Sequence, residues 1–488
     1  MHQDNTPALS SLASFEILEN LLTARRLEDS PEAMMTFEAF EVELGHAVRG
    51  LENELKATDL ARYDVDADAV MVNGQEWRRC LSHQPKTYLS ASGPVTVSRT
   101  LYRAVGGGKS LCPLELGAGI IGGLHTPVLA RQVTDLMGPL TSQETREVFS
   151  ELGLSGPSSS TCDRLPKRLS TVWETHRVQW ESALREQEWV EAETSVVAVS
   201  LDGVMVPDKD RQREAKAKRE AAQAEGLSKS PSGPAGYREV GGGTVTLYDE
   251  EAKRLDTGRY GRAPEDKKQT LTDQLDAELG SILAVRPDLE VVAIADGAEE
   301  NWRDFDCPLS SEATRIVDHG HACDPLRAAM SAYDGDQSIE GRAEYARLRI
   351  LWRDQPGGVD TVITELGRWA RKLSGQRHKS RRKRLRSELT YFKNQRDRMD
   401  YADYQARGLP IGSGVVEAAC KTLATQRLKR SGMSWRKGKQ AILTIRSLQQ
   451  SQSWSAAWAL LSAHFRVTVL VVRKRGHLRE LTPVRMAA

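Results

Sequence analysis

The sequence predicts an α/β protein of several domains, on three observations. Two apolar runs, SVVAVSLDGVMVP (195–207) and LEVVAIADG (289–297), read as buried strands that each end on an aspartate, Asp202 and Asp296. A helical pattern from about Lys268 to Leu283 lies between them. A long helical stretch, increasingly basic, fills residues 326–409 until Leu409-Pro410-Ile411-Gly412-Ser413-Gly414 breaks it.

Taken in order, residues 8–62 carry apolar positions at helical spacing, among them Phe15, Leu18, Leu22, Phe40, Val48 and Leu55, which predicts two or three helices. Ser30-Pro31-Glu32 reads as a helix start, with proline at the first helical position. From Trp77 to Arg103 the pattern changes to alternation, and Ser92-Gly93-Pro94 is placed at a hairpin turn. Residues 126–184 return to helix, with one segment running from Thr161 through Trp173, and a helix-turn-helix there would suit recognition of DNA ends. The charged and then Gly/Ser/Pro-rich stretch 207–236 reads as an exposed insertion or mobile loop. Strand-like pieces resume at GGGTVTLYD and RLDTGRYGR, and TRIVDHGHA (314–322) reads as a further short strand. A last core helix begins near Ser413 and holds Glu417 in its first turn.

These patterns divide the chain into acidic N-terminal helices (1–66), a small β module (67–125), a helical region (126–190), the first part of an α/β core (191–325), a basic helical insertion (326–410), a final core helix (411–450), and a C-terminal helix with a basic tail (451–488).

The net charge of +1 hides a segregation that concerns partners rather than fold. Residues 1–66 carry 5 Lys/Arg against 14 Asp/Glu, a net of −9. Residues 368–440 carry 21 against 5, a net of +16, and such a surface calls for a polyanion. Within it, residues 371–386 hold nine Lys/Arg and no acid. A charge run is usually a solvated helix face, but like charges so crowded repel unless phosphates screen them, so Lys379, Arg381, Arg382, Lys383 and Arg384 are read as DNA-backbone contacts.

No apolar run approaches the roughly 18 residues a membrane span needs. The start, MHQDNTPALSS, has no secretory pattern, so a cytoplasmic protein is expected. The six cysteines, at 80, 112, 162, 307, 323 and 420, never form C-x-x-C and are read as buried free thiols. Gly106-Gly107-Gly108-Lys109-Ser110 looks like part of a phosphate-binding loop, but the required first glycine is Arg103 and Pro113 interrupts the helix that must follow. No dependence on ATP is expected.

Asp202 and Asp296 at strand ends and Glu417 at a helix start are carboxylates that an open sheet can bring together at the carboxyl ends of neighbouring strands. Taken singly, such residues are more often caps or turn formers. Together they suit two Mg²⁺ or Mn²⁺ ions, which accept oxygen ligands and share phosphate oxygens with a substrate.

The strings SLDGVMVP, VVAIADGAEENW, RIVDHGHA and LPIGSGVVEAACKTLATQRLKRSGMSW resemble successive blocks of the bacterial Kra-type insertion-sequence transposases, a D-D-E group related to Mutator-like elements. The acidic residues fall 94 and 121 positions apart, as in that pattern. Weaker similarity in GPVTVSRTLYR, LCPLELGAGIIGGLHTP and the Pro-Ser-Ser-Ser-Thr block extends the resemblance over roughly residues 70–450. It implies an RNase H-like core interrupted by an all-helical insertion, and an enzyme that cuts the ends of its own element and joins them to target DNA. The implied partners are the terminal inverted repeats, the target, and further copies of the chain in a dimer or larger assembly. Relatives often carry a cysteine pair near the end of the first β module, where this chain has only Cys112, so no zinc is expected there.

The Asp318-His319-Gly320-His321 string resembles the Asp-x-x-His element of Mutator-like transposases. His321 is expected to orient a water or touch the scissile phosphate, with Asp318 in support; the alternative is a structural histidine at a strand end. A zinc hydrolase built on the same residues is disfavoured, since no H-E-x-x-H spacing occurs.

On the last helix, Glu417, Lys421, Thr425 and Leu428 are expected near one face, opposite Val416, Ala419, Cys420 and Leu423. Arg427, Lys429, Arg430, Arg436 and Lys437 would continue a cationic track, and Trp435 either stacks on an unpaired base or packs in the core. Two other functions remain open: a transposase-derived DNA-binding protein without catalysis, and a stand-alone nuclease of the same fold.

Overall fold

Two kinds of apolar pattern in the sequence become two kinds of sheet. The computed structural model describes residues 12–27, 31–32, 34–187, 189–224, 236–297, 302, 313–335, 338–373, 375–475 and 478–483. The chain forms two units, one of residues 1–176 and 455–488, the other of residues 177–454.

The first unit opens with helices α1 (Ala13–Ala24) and α2 (Phe37–Ala61). Helix α2 starts later than Ser30-Pro31-Glu32: Pro31 and Glu32 lie in a turn, Ser30 falls outside the described residues, and the Thr36 hydroxyl caps the helix by accepting from the Ala39 amide at 3.2 Å. Strands β1 (Ala69–Val72), β2 (Gln75–Ser90), β3 (Gly93–Ala104) and β4 (Ser110–Leu111) follow. The β2–β3 hairpin turns on Ala91 and Ser92, with Ser90 facing Gly93. The alternation of β3 is matched by alternating burial at its start, as expected of an antiparallel strand with one face on a core. Gly106, Gly107 and Gly108 all take positive φ between β3 and β4, and the helix beyond, α3 (Pro113–Gly117), has five residues, so this is a chain reversal. Helices α4 (Pro127–Met137), α5 (Ser142–Glu151) and α6 (Ser159–Arg185) complete this stretch, α5 with a reciprocal cap between Thr141 and Glu144.

The second unit begins with β5 (Val196–Pro207), then α7 (Lys209–Ala224), β6 (Tyr237–Tyr248), β7 (Arg254–Arg262), α8 (Gln269–Val285), β8 (Glu290–Ala295) and β9 (Thr314–Val317). The stretch expected as an insertion or mobile loop is, over residues 209–224, the exposed helix α7; residues 225–235 lie outside the described ones. Its Ala, Glu, Lys and Arg residues are good helix formers, and Asp208 caps its first turn by accepting from the amides of Asp210 and Arg211, each at 3.1 Å.

The sheet runs β7-β6-β5-β8-β9. Strands β6 and β7 are antiparallel additions on one side of β5, and β8 and β9 parallel additions on the other. Residues Val196 to Leu201 are buried without a break, as are Val292 to Ala295, because a parallel pair is covered on both faces. Each fully buried Val, Leu or Ile there contributes about 1.5–3 kcal/mol.

Gly241, Gly242 and Gly243 of β6 allow helices to approach both faces. A Cβ at Gly241 would lie 2.8 Å from Leu271 and one at Gly243 2.8 Å from Leu275, both on α8. A Cβ at Gly242 would collide with Cys420.

Helices α9 (His319–Asp334), α10 (Ile339–Asp354), α11 (Gly358–Lys372), α12 (Lys379–Gln395) and α13 (Tyr401–Ala406) follow. Their buried side chains, among them Trp352, Leu366, Trp369, Phe392 and Tyr401, belong to the same hydrophobic cluster as the sheet. Then come α14 (Gly414–Cys420), a π-helical turn at Lys421–Thr425, α15 (Gln426–Leu428) and α16 (Lys439–Gln450).

The chain then returns to the first unit with α17 (Trp454–His464), β10 (Val469–Arg475) and β11 (Leu478–Pro483). The segment expected as a basic tail is therefore a hairpin, and β10 pairs with β1 to give a six-stranded sheet, β11-β10-β1-β2-β3-β4. Val469, Val471 and Val472 are β-branched residues that suit a strand, a pattern outweighed in the sequence by the surrounding arginines and lysines. Among the described residues no helix is long and apolar enough to cross a membrane. Cys112, Cys162, Cys323 and Cys420 are buried free thiols, whereas Cys80 is exposed on β2; Cys307 lies outside the described residues.

Candidate active site at the edge of the second sheet

Asp202 lies in the middle of β5 and not at its end, because pairing with β6 carries β5 on to Pro207. The parallel ladder with β8, however, stops at Ser200 and Ile294. Asp202 and Asp296 each come two residues after that last pair, so they occupy corresponding positions on neighbouring strands. Asp318 follows in the same row: the last β8–β9 pair is Ala295 with Val317, and the Asp318 amide donates to the Ala295 carbonyl at 2.9 Å.

Strand β9 is shorter than TRIVDHGHA, because Asp318 ends it by capping α9, its Oδ1 accepting from the His321 amide at 2.9 Å. His321 thus stands in the first turn of a helix and not on a strand. Asp318 is only 3% exposed. Its Oδ2 accepts from both the amide and the hydroxyl of Ser413, just before α14. Burial alone would raise its pKa, but the hydrogen bonds from Ser413 and His321 and the nearby imidazole outweigh it and hold the carboxyl below its usual range.

Helix α14 is tied down further by the His319 amide, which donates to the Ile411 carbonyl at 3.0 Å. One turn in, Glu417 is half exposed, 3.4 Å from His321 Nδ1 and 3.3 Å from the Ser413 hydroxyl. His321 Nδ1 is also 3.7 Å from Asp318. The ligand atoms of Asp318, His321 and Glu417 all lie within 4.8 Å of one another, and among the described residues this is the acidic group able to hold a metal ion; Asp202 and Asp296 are not in it. Asp202 pairs across the β5–β6 ladder with Gly242, on which Cys420 of α14 packs; burial, then the Asp202 charge, push that thiol's pKa up. Asp202 also accepts from the Gly203 amide at 2.7 Å. Carboxylate oxygens such as these suit Mg²⁺ or Mn²⁺.

Sequence reasoning missed Ser413, Cys420, Tyr391 and Gln395. The Gln395 amide donates to the Gly297 carbonyl at 3.0 Å, and the Tyr391 ring stands over Gly297. Burial, then the charges of Asp296 and Asp318, push the Tyr391 phenol above its ordinary range. The only sequence signal for these contacts is the glycine after Asp296.

The π turn adds a residue to the helical repeat, so the expected face of Glu417, Lys421, Thr425 and Leu428 does not persist. Lys421 is exposed, but Leu428 is fully buried with Val206, Val240 and Leu443. Arg427 is 3% exposed, its guanidinium 5.4 Å from the Trp435 ring centroid, which removes it from the cationic track. Trp435 packs on the same cluster and donates to the Leu428 carbonyl at 2.9 Å. Arg436 pairs with Asp210 of α7 at 3.0 Å, and Arg430 donates to the Gln426 carbonyl at 3.2 Å. Lys429 and Lys437 are exposed.

On α12, Lys379, Lys383 and Arg384 face solvent. Arg381 turns inward, donating to the Ala332 carbonyl at 2.7 Å and to that of Tyr333, and Arg382 donates to the Leu373 carbonyl at 3.1 Å. Both guanidinium groups satisfy carbonyls at helix ends that would otherwise lack partners.

No family model matches the chain, and no curated protein matches it. Among solved structures, the Drosophila P element transposase strand transfer complex aligns over 70% of this chain and 81% of its own, at 10% identity and a TM-score of 0.22. At that score the alignment does not establish a shared fold.

Proposed function

We propose that the protein is a DNA transposase of the D-D-E type, in which Asp202, Asp296 and Glu417 on an RNase H-like core hold two divalent ions. The observation that carries this reading is the sheet edge. Two aspartates hold matching positions on parallel neighbours, and the helix that bears Glu417 is anchored beside them through Ser413, which bonds Asp318, and through Cys420, which packs on Gly242 opposite Asp202. Three antiparallel strands, with two parallel ones beside the first, support the reading of an RNase H-like sheet. The blocks similar to Kra-type and Mutator-like transposases supply the rest of the assignment.

Mg²⁺ or Mn²⁺ bound there supplies the charge neutralisation and Lewis acidity for in-line displacement at a phosphodiester. The residues of the chain do the positioning. Asp318 fixes the start of α14, and His321, beside Glu417, orients a water or contacts the scissile phosphate. Lys421 reaches the DNA backbone one turn beyond Glu417, and Lys379, Lys383, Arg384, Lys429 and Lys437 extend the phosphate contacts. Two element ends joined in one complex require a dimer or larger assembly.

The test is purified protein, DNA carrying the element ends, supercoiled target and Mg²⁺. Nicking and strand-transfer products are expected, and Asp202→Asn should lower both by more than about 100-fold, the upper end for groups that merely support a metal ligand, with DNA binding retained. Cutting without joining would identify a stand-alone nuclease. Binding without cutting would identify a non-catalytic DNA-binding protein.

A further inference from the structure

We infer that helix α7 is a DNA-contacting arm of the second sheet, its Lys209 and Arg213 face lying against the phosphate backbone of a duplex held at the Asp202 edge. This rests on the reading of the protein as an enzyme that cuts DNA at that edge.

Strand β5 runs five residues past Asp202, to Pro207, and α7 begins two residues later. At about 3.3 Å per residue the end of the strand lies within roughly 17 Å of Asp202. From Arg211 to Ala221 every side chain of α7 is exposed except Ala215, which is partly buried. A helix that packs so little gains almost nothing from the core, and one of 16 residues is marginal in water by itself.

The arm is fastened at its start. Asp208, whose carboxylate caps the first turn, forms an ion pair with Lys439 of α16, and the two are 4% and 5% exposed. The Lys209 amide donates to the Trp435 carbonyl at 2.9 Å and the Trp435 amide to the Pro207 carbonyl at 3.3 Å. The Ser434 hydroxyl donates to Gln212 Oε1 at 2.8 Å. Burying two charges costs desolvation that their attraction does little more than offset, so the pair chiefly fixes the direction in which α7 leaves the sheet.

The charges on the arm are sorted. It holds six Lys/Arg and three Asp/Glu, and all three acids are taken: Asp210 by Arg436 at 3.0 Å, Glu214 by Arg211 at 3.1 Å and Glu220 by Lys216 at 3.7 Å. Lys209, Arg213, Lys218 and Arg219 have no acidic partner among the described residues. Lys209 and Arg213, one turn apart, share a face. Arg211 and Lys218 share the opposite side with Ala215, the side that is partly covered. Exposed Lys437, two residues beyond Trp435, adds a cation at the base of the arm. A fixed helix with unneutralised cations on its open face complements a polyanion, and such contacts position a duplex without reading its sequence.

The experiment is binding of the full chain to a duplex oligonucleotide of arbitrary sequence, by fluorescence anisotropy over a range of KCl concentrations and without divalent ions. Lys209→Ala with Arg213→Ala is compared with Arg211→Ala with Lys218→Ala, which removes the same charge from the other side. Each phosphate contact contributes about 0.9 to the slope of log affinity against log salt, so the first pair should flatten the slope by about 2 and the second by much less. No change with the first pair, or an equal change with both, overturns the inference and leaves the proposed function standing. No binding by the natural protein overturns the DNA reading, and this inference with it. The substituted side chains are exposed, so the thermal midpoint should hold. Should it fall with the first pair, Lys209→Gln with Arg213→Gln keeps the side-chain bulk, and an unflattened slope there overturns the inference.

Discussion

Asp318 and Ser413, 95 residues apart, are joined twice: the backbone amide and the hydroxyl of Ser413 both donate to the same oxygen of the buried Asp318 carboxylate. The junction ties the end of β9 to the start of α14, which carries Glu417.

Ser413→Ala removes one donor to a buried charge and leaves the other. A loss of about 1.5–3 kcal/mol in urea unfolding is expected, with Ser413→Thr close to the natural protein. Because the folded pKa of Asp318 is depressed, its contribution is fully present above the ordinary carboxylate value and is lost as pH falls through the lower folded value. Asp318→Asn should flatten that acid limb, and an unaltered limb would show that the carboxylate is not held ionised.

His319 shifts stability in the same direction, over a higher pH range. Burial, then Arg349 and Arg353, lower its pKa to about 4, and it packs against Trp352 and Tyr401 at ring distances of 5.3 and 4.9 Å. The unfolded chain therefore takes up a proton near the ordinary 6.5 that the folded chain refuses, so stability is full above that value and falls as pH drops towards 4, by up to about 3 kcal/mol. Urea midpoints at pH 7 and pH 5 should differ in the natural protein, and less so in His319→Leu.

Gly242→Ala should drive α14 off β6, since the added methyl group collides with the Cys420 sulfur. Overpacking of this kind costs about 1–3 kcal/mol. Cys420→Ala makes room, so the double variant should recover much of the loss, and strict additivity in the double-mutant cycle would count against the contact.

The exposed and inward-facing cations of α12 should separate in DNA binding. Replacing Lys379, Lys383 and Arg384 with alanine should weaken binding at every sequence and reduce the salt slope by about 1 per lost phosphate contact. Arg381→Ala should act mainly on stability, by about 1–3 kcal/mol, because it strips the carbonyls of Ala332 and Tyr333. A salt slope unchanged by the triple substitution would retire this surface as a DNA contact.

What the sequence determined by itself was periodic and local. The short apolar, β-branched runs of β5 and β8 read as strands covered on both faces, and the alternation of β3 marks a half-buried one. The helical spacing before α14 and the lone charge run of α12 were equally legible, since both depend on neighbours along the chain.

Tertiary structure decided what side chains separated by tens or hundreds of residues do to one another. The basic run does not reveal that Arg381 and Arg382 serve helix ends while Lys383 and Arg384 face water, nor the repeat at Lys421 that it enters a π turn and buries Arg427 and Leu428. The strand Val469–Val472 finds its partner only because β1, some 400 residues earlier, leaves an edge to be paired. Contacts such as those of Ser413 with Asp318 and Tyr391 with Gly297 depend on distances across the fold, and no local pattern encodes a distance across the fold.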